Sequence, residues 1–299
     1  MTIVSNDPSL WPVIDAYHFS SYFAVAACVG VTYDWTLTFG QEVELVWRQR
    51  WSLMTFLYFC VRYLGILFAA LSMFYSLPTI LLTDTWVYWF TNLLDWINVL
   101  VFAMLWVIII TRLHAMYQGS RKILIFLIVT FLAVNVFDGV VVIMATMHMS
   151  GEEYILSGSY QCRLNYPEDV SLLGSIAWIL ATVWEVLALC LAVWIAVKHF
   201  RELRRHSAGG IIGDCFSVLI KTHMAYFASF VAVSCFQLIL NLSPTILADL
   251  YSLEAETLLG LLQISTVVQA YVLGPRLILG VREYHAKLVA NSDAASGGQ

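Results

Sequence analysis

Seven long apolar segments follow one another along this chain, and they restrict its fold more than any motif does. A helix needs about 20 mostly apolar residues, at ~1.5 Å of rise each, to cross the ~30 Å hydrocarbon core of a bilayer. Only 12% of the residues are charged, about half of the roughly 25% usual in a soluble domain. We therefore predict an all-α, polytopic membrane protein, a bundle of seven transmembrane helices in a lipid bilayer. The predicted spans are 14–33, 52–76, 86–110, 122–147, 171–197, 215–240 and 257–279.

Span 1 is the least apolar of the seven, because it carries Asp15, His18 and several serines and tyrosines. Six spans are therefore the alternative count.

The lysines and arginines are distributed unequally between the two sides of the predicted bundle. If seven spans alternate in direction, one set of loops receives only Arg163, and Arg62 falls inside span 2. The other thirteen of the 15 basic residues fall on the opposite side. The positive-inside rule then places the N-terminus outside and the C-terminus in the cytosol. The thirteen are Arg48, Arg50, Arg112, Arg121, Lys122, Lys198, Arg201, Arg204, Arg205, Lys221, Arg276, Arg282 and Lys287.

This topology divides the chain into three parts: an outer N-terminus at 1–13, a transmembrane domain at 14–280 and a cytosolic segment at 281–299. From Arg276 onward, apolar and basic residues interleave, which favours a short helix in the cytosolic headgroup plane. The last residues are small and polar, a composition typical of disorder. We expect the plasma membrane rather than an internal membrane.

The segment QEVELVWRQRW, residues 41–51, is a charged stretch between the first two apolar spans. We predict that it is the first cytosolic loop, folded as a short surface helix that is solvated and anchored at the lipid headgroups by Trp47 and Trp51. Glu42 and Glu44 are two residues apart, so on a helix they do not face each other. The segment therefore does not predict a pair of carboxylates for acid–base chemistry.

The segment YDWTLTFGQEVELVWRQRWSLMTFLYFCVRY, residues 33–63, resembles the signature of the fungal integral membrane proteins of domain of unknown function 6533. The signature's aromatic–Asp start falls on Tyr33 and Asp34, its Glu-Val-Glu-Leu-Val-Trp run on 42–47, and its late Arg-Tyr pair on Arg62 and Tyr63. Two later segments, TRLHAMYQGSRK and GPRLILGVRE, also resemble the family. The resemblance implies a seven-helix bundle, and it implies no activity.

The residues that several membrane-protein chemistries require are missing from the sequence. A retinal Schiff base requires a lysine in the last span, and none of the lysines lies there. Membrane metal oxygenases require closely spaced histidines, whereas the seven histidines here are scattered. No GxSxG, HExxH or P-loop motif occurs. We therefore predict a protein that is not an enzyme, with no metal, no cofactor and no nucleic-acid partner.

Four charged residues fall near the middle of predicted spans: Arg62, Asp95, Asp138 and Glu185. An isolated charge at such a depth costs ~3 kcal/mol or more, so each is a functional hypothesis that needs a partner. Arg62 lies roughly 15 Å from the cytosolic edge and Asp95 ~14 Å from the outer edge, at ~1.5 Å per residue. We therefore predict an Arg62–Asp95 pair near the midplane.

Amide side chains accompany the buried carboxylates. Asn92 and Asn98 flank Asp95 at i−3 and i+3 and so share its helix face, and Asn135 stands near Asp138. One interpretation is a polar pocket or hydrated path at the bundle centre. The other is interhelical hydrogen bonding, because lipid offers polar side chains no alternative partner.

Three functional hypotheses remain open. The first is a receptor-like or sensory protein that binds a small ligand from outside and presents Arg112, Arg201, Arg204 and Arg205 to a cytosolic signalling protein. The second is a proton- or cation-coupled transporter or channel that uses Asp95, Asp138 and Glu185. The third is a non-catalytic membrane scaffold. The absence of an obvious internal repeat, which many transporters have, favours the receptor.

Overall fold

The computed structural model describes residues 2–5, 7, 11–49, 51–77, 83–117, 120–156, 159–205, 211–243, 252–283 and 286. At 2–5, 84, 151–156, 159–164, 199–200, 202–205, 211–223 and 241 it describes the backbone alone.

The described residues form seven long helices and one small sheet. Helix α1 continues as a π-helix over Val43–Trp47, and α7 begins at Leu253, passes through a π-helix at Gln269–Leu273 and continues over 274–283. Strand β1 lies before α1, and β2 and β3 lie between α4 and α5. The bounds are β1 Thr2–Ser5, α1 Trp11–Glu42, α2 Leu53–Ser76, α3 Asp84–Met116, α4 Arg121–His148, β2 Ser150–Leu156, β3 Ser159–Asn165, α5 Glu168–Arg205, α6 Ile211–Leu242 and, for the first part of α7, Leu253–Val268.

Five of these helices are long and apolar enough to cross a membrane: Leu53–Ser76, Thr85–Met116, Arg121–His148, Glu168–Lys198 and Leu253–Glu283. Large apolar side chains on their outer surfaces are exposed, such as Trp194 at 72% and Val136 at 66%. Apolar surface of this extent is stable only against hydrocarbon. The chain is an integral membrane protein.

Helix α1 extends further than the sequence predicted, because it does not end at residue 33 but continues to Glu42. Its inward face carries small residues and, towards its C-terminal end, polar ones, and this face packs against α2 and α7. Small residues let neighbouring backbones approach closely, which is how helices associate in lipid. The buried residues of α1 are Ala16, Ser21, Ala24, Ala27, Val31, Asp34, Thr38 and Glu42.

The helices form a closed ring in chain order, because each packs against the next and α7 returns to α1. Helix α3 also contacts α5 and the π-helix of α7, so it lies closest to the centre. Serine hydroxyls cap two of the helices: Ser52 accepts from the Thr55 amide at 3.3 Å and Ser252 from the Ala255 amide at 3.2 Å. Such caps satisfy amides that the first turn of a helix leaves without a partner.

A three-stranded sheet lies at one end of the bundle. Strand β2 pairs antiparallel with β3 and parallel with β1. The N-terminal strand and the α4–α5 connection therefore lie at the same end, which we call the sheet end. We call the other end, where α1 meets α2, the hairpin end. The sequence did not predict this sheet, two strands of which lie in the connection between the fourth and fifth predicted spans.

The residues after Pro275 differ from the prediction of a separate helix in the headgroup plane. Residues 274–283 continue α7, and Leu277, Ile278 and Leu279 are each at most 4% exposed. Their apolar side chains pack in the same core as α2 and α3. The predicted interfacial residues up to 283 therefore belong to the bundle, and most of 284–299 lies outside the described residues.

Candidate functional site

The first polar site is an ion pair deep between α1, α2 and α7, which we call the Asp34 cluster. Arg62 donates to Oδ2 of Asp34 at 2.5 Å and also donates to the hydroxyl of Thr38. Arg276 donates to Oδ1 of Asp34 at 2.6 Å. The side chains of Arg62 and Asp34 are 0% and 5% exposed, whereas that of Arg276 is 45% exposed. One carboxylate thus lies between two guanidinium groups.

This cluster corrects the predicted pairing of Arg62 with Asp95. Arg62 is buried within α2, as predicted. Its partner, however, is the carboxylate of Asp34 on α1, one residue beyond the predicted end of span 1. Residues Asp34, Thr38 and Glu42 recur every four positions and so lie on one face of α1. This spacing is visible in the sequence. It indicates a shared helix face only if α1 continues to residue 42.

The second polar site, the Glu42 cluster, lies beside the first at the hairpin end. Glu42 is completely buried, and its carboxylate accepts three hydrogen bonds. The donors are the Trp47 indole at 3.0 Å, the Tyr58 hydroxyl at 3.1 Å and the Tyr63 hydroxyl at 2.8 Å. Residues 41–47 are helical, as predicted, but they continue α1 and are partly buried rather than solvated on the surface. Glu44 is exposed, as expected from its spacing.

Arg282 connects the end of α7 to the α1–α2 connection. Its guanidinium donates to the Leu45 carbonyl at 3.0 Å and to the Thr55 hydroxyl at 2.7 Å. Together with Arg276, it attaches the last turns of α7 to the hairpin of α1 and α2. The polar residues at this end hold three helices in register.

Replacement of Glu42 by glutamine should lower the free energy of unfolding by about 1–2 kcal/mol, because three donors lose a charged acceptor. Glutamine keeps the shape of the side chain, so the change reports on the charge. Replacement of Glu44 by glutamine is the matched control and should be neutral within about 0.5 kcal/mol. Denaturation of both purified variants in detergent measures the difference. Equal stability of the two variants would mean that the buried carboxylate contributes nothing.

The third polar site is a cavity of about 300 Å³ enclosed by α3 to α7, which we call the central cavity. It brings together five of the predicted site residues: Asp95, Asn98, Asn135, Asp138 and Glu185. Gln237 from α6 and Thr266 from α7 complete its polar lining. Five separate helices therefore direct polar groups to one space.

Of the three carboxylates, Glu185 is the most deeply buried, at 4% exposure, and it accepts a hydrogen bond from Ser234 at 2.6 Å. Asp95 and Asp138 form no ion pair with a described residue. No lysine, arginine or histidine lines the central cavity within the described part of the chain. The cavity is therefore acidic.

Aromatic rings form much of the apolar wall. Phe102 and Trp178 meet edge to face with centroids 6.3 Å apart, and Trp106 stacks on Trp184 at 4.3 Å. Trp106 is 3% exposed, and its indole N–H lies near Glu185 but outside hydrogen-bond geometry. One buried donor at the cavity wall therefore has no partner among the described residues.

Between the central cavity and the hairpin end lies an apolar layer of side chains. The layer begins at the Trp106–Trp184 stack and continues with side chains of α3 to α6, each at most 5% exposed. Its members below the stack are Ile109, Ile110, Leu113, Leu127, Ala188, Ala192 and Phe227.

At the sheet end, Tyr166 precedes α5. Burial and, to a smaller extent, the charge of Asp95 together raise the pKa of Tyr166 to about 12. Tyr166 is still 41% exposed. Asp95 therefore lies close to a partly exposed residue at this end of the cavity.

A smaller cavity of about 240 Å³, the side cavity, lies between α2, α3, α6 and α7. It shares Asn98, Gln237 and Thr266 with the central cavity, so the two spaces adjoin. Its remaining lining is mostly apolar. Tyr271, on the π-helix of α7, borders it and donates to Asn98 at 3.2 Å.

The remaining predicted residues lie elsewhere. Asn92 accepts a hydrogen bond from Thr146 at 2.5 Å and does not line the central cavity. Arg112 is half-buried near Arg282, and Arg201 is exposed. The side chains of Arg204 and Arg205 lie outside the described residues.

A family model described as a family of unknown function, DUF6533, matches residues 22–67. No curated protein matches the chain. The matched segment contains Asp34, Thr38, Glu42 and Arg62, so it supplies most of the two polar clusters. In this segment, the chain is similar to the family of unknown function DUF6533.

Proposed function

We propose that this protein is a receptor-like or sensory membrane protein that binds a small ligand in the central cavity. It is not a catalyst, its seven helices all span the membrane, and it presents its hairpin end to a cytosolic signalling protein. The N-terminus lies outside and the C-terminus in the cytosol. The membrane is the plasma membrane.

The sheet supports this topology. Strand β1 pairs with β2, so α1 starts at the same end as the α4–α5 connection and crosses the bundle. In the sequence, Arg163 is the single basic residue assigned to the sheet end. Thirteen basic residues are assigned to the opposite side. The positive-inside rule therefore favours a cytosolic hairpin end.

The central cavity is the observation that carries the proposal. Ligand pockets have volumes of roughly 300–1,000 Å³ and combine an apolar wall with a few convergent polar groups. The cavity, at about 300 Å³, fits a small ligand at the lower limit of that range. Polar groups that served only to join helices would bond to each other, whereas Asp95 and Asp138 face the cavity without an ion pair to a described residue.

The apolar layer below the cavity favours a receptor over a transporter or channel. A proton or cation path needs polar groups or water along its whole length, because an isolated charge in an apolar interior is costly. The carboxylates that line the cavity end at Glu185, and beyond it, towards the hairpin end, the buried side chains of α3, α5 and α6 are apolar. These helices therefore offer no continuous row of polar groups from the cavity to the hairpin end within the described residues.

Helix α7 supplies a physical connection between the cavity and the hairpin end. Thr266 lines the cavity, the π-helix follows directly, and Arg276 binds Asp34 one turn further on. A π-helical turn inside an α-helix is rare and is frequent at functional sites. A ligand that changed the register of this turn would change the contacts of Arg276.

The test is a thermal-shift screen of the purified protein against cationic, neutral and anionic small compounds. Replacement of Ala181 by phenylalanine fills the cavity from α5, and replacement of Val183, which is 58% exposed, by phenylalanine is the control on the same helix. Compounds that bind the cavity should lose at least about tenfold in affinity, ~1.4 kcal/mol, in the Ala181 variant only. If no compound binds the two variants with different affinities, the central cavity is not a ligand pocket. The scaffold hypothesis would then remain.

The alternative hypothesis, a proton- or cation-coupled transporter or channel, is tested with the purified protein in vesicles under a proton gradient. We expect no flux above that of empty vesicles. A flux that disappears when Asp95 is replaced by asparagine would overturn the receptor proposal in favour of proton coupling.

A further inference from the structure

We propose, on the basis of the function proposed above, that the ligand is an organic cation, a protonated amine with an oxygen acceptor and an apolar arm. The amine lies against Asp95 and Asp138 in the central cavity. The apolar arm extends into the side cavity. Three independent features of the two cavities support this assignment.

The first feature is the unbalanced charge of the lining. Three carboxyl groups line the central cavity, and the described lining contains no basic side chain. Glu185 already has Ser234 as a partner, whereas Asp95 and Asp138 have no ion pair with a described residue. A buried carboxylate is stable only when it is paired or hydrogen-bonded. A ligand cation would complete the site, and an anionic ligand would be repelled.

The second feature is the aromatic wall. Phe102, Trp106 and Trp178 line the same space as Asp95 and Asp138. A cation over the face of an aromatic ring is stabilised by the ring quadrupole, most strongly over tryptophan and away from water. Acidic groups and aromatic faces together suit an alkylammonium group better than a metal ion, which prefers several oxygen ligands.

The third feature is the unpartnered indole N–H of Trp106. Trp106 is 3% exposed and lines the cavity, and its Nε1 has no hydrogen-bond partner among the described residues. Buried donors in folded proteins are nearly always satisfied by protein, water or ligand. An ether or hydroxyl oxygen of the ligand would accept this bond, which is why the inferred ligand carries an acceptor.

The side cavity accounts for the apolar arm. Its wall includes Phe68, Leu262, Val267 and Ala270, and it adjoins the central cavity at Asn98. No charged residue lines it within the described chain. An amine bound at Asp95 would therefore direct an aryl or alkyl group here.

The experiment compares three probes of the same shape, phenoxybutylamine, phenoxybutanol and phenoxybutyrate, by calorimetry on the full chain in nanodiscs. We expect the amine to bind at least about tenfold more tightly than the alcohol, and the carboxylate to bind most weakly. Replacing Asp95 and Asp138 together by asparagine should remove the preference for the amine. Replacing the exposed Asp15 by asparagine is the charge control and should leave the preference intact.

The outcomes separate this inference from the function on which it rests. If the alcohol or the carboxylate binds as tightly as the amine, or if the amine does not bind, the ligand class is wrong. The pocket itself still stands in that case as long as other compounds distinguish the Ala181 and Val183 variants. If an amine preference persists without Asp95 and Asp138, the amine binds elsewhere, for example to the lipid surface, and the inference fails.

Discussion

Replacement of Asp34 by asparagine is expected to lower the free energy of unfolding by about 3–5 kcal/mol, because it leaves a buried guanidinium without its counter-charge. Arg62 is 0% exposed, and its Nε already has no partner within the described chain. Water cannot replace the lost carboxylate at that depth. Arg276 is 45% exposed and can be solvated instead. Thermal or denaturant unfolding of purified protein in detergent measures the loss.

The same substitution at Asp15 is the matched control, since Asp15 lies on the same helix and is exposed. It should change stability by no more than about 0.5 kcal/mol. A further variant in which Asp34→Asn is combined with Arg62→Gln should be more stable than Asp34→Asn alone, because the unpaired buried guanidinium is then removed as well. If the double variant is the less stable of the two, the ion pair is not the cause of the loss.

The apolar spans were predictable from the sequence because long hydrophobic segments have few alternatives to membrane helices. The predicted spans from the third to the seventh lie within helices of the structure, and the second does so apart from Ser52, the N-cap of α2. The end of α1 was not predictable by hydropathy, since residues 34–42 carry two acidic residues. Those residues remain helical because Arg62, Tyr58 and Tyr63 on α2 satisfy them.

The wrong partner for Arg62 has a geometric cause. Counting residues along a helix gives depth, but depth does not give the direction in which a side chain points. Asp95 has a suitable depth, yet it lines the central cavity, to which no residue of α1 or α2 contributes among the described residues. Asp34 lies on the face of α1 that turns towards α2. The direction of a side chain around its helix axis depends on how the seven helices pack against one another. A single sequence does not give that packing.

The family match and the proposed pocket occupy different parts of the molecule. Residues 22–67 build the Asp34 and Glu42 clusters, and none of them lines the central cavity. The matched segment therefore stabilises the bundle, whereas the residues that line the proposed ligand pocket lie on α3 to α7, with Phe68 of α2 at the side cavity. The segment that matches the family model is thus separate from the proposed pocket.

Replacement of Gly65 by alanine is expected to cost about 3 kcal/mol, at the upper limit for overpacking of a core. A Cβ atom at this position would lie 2.5–2.8 Å from Cδ1, Cγ and Cβ of Tyr271. Tyr271 is 1% exposed, and its hydroxyl is bonded to Asn98, so the ring has no space to move. Either α2 or the π-helix of α7 must shift.

Gly30 supplies the matched control, because a Cβ atom there would meet nothing within 4 Å. Alanine at Gly30 should leave stability unchanged or raise it by up to about 1 kcal/mol, since alanine favours a helix over glycine. In a Tyr271→Ala background, two of the three clashing atoms are absent, so Gly65→Ala should cost less there than in the wild-type chain. Unfolding of the four variants gives this coupling energy directly. Equal costs of Gly65→Ala in the two backgrounds, or equal effects at Gly65 and Gly30, would show that α2 and the π-helix are not in close contact.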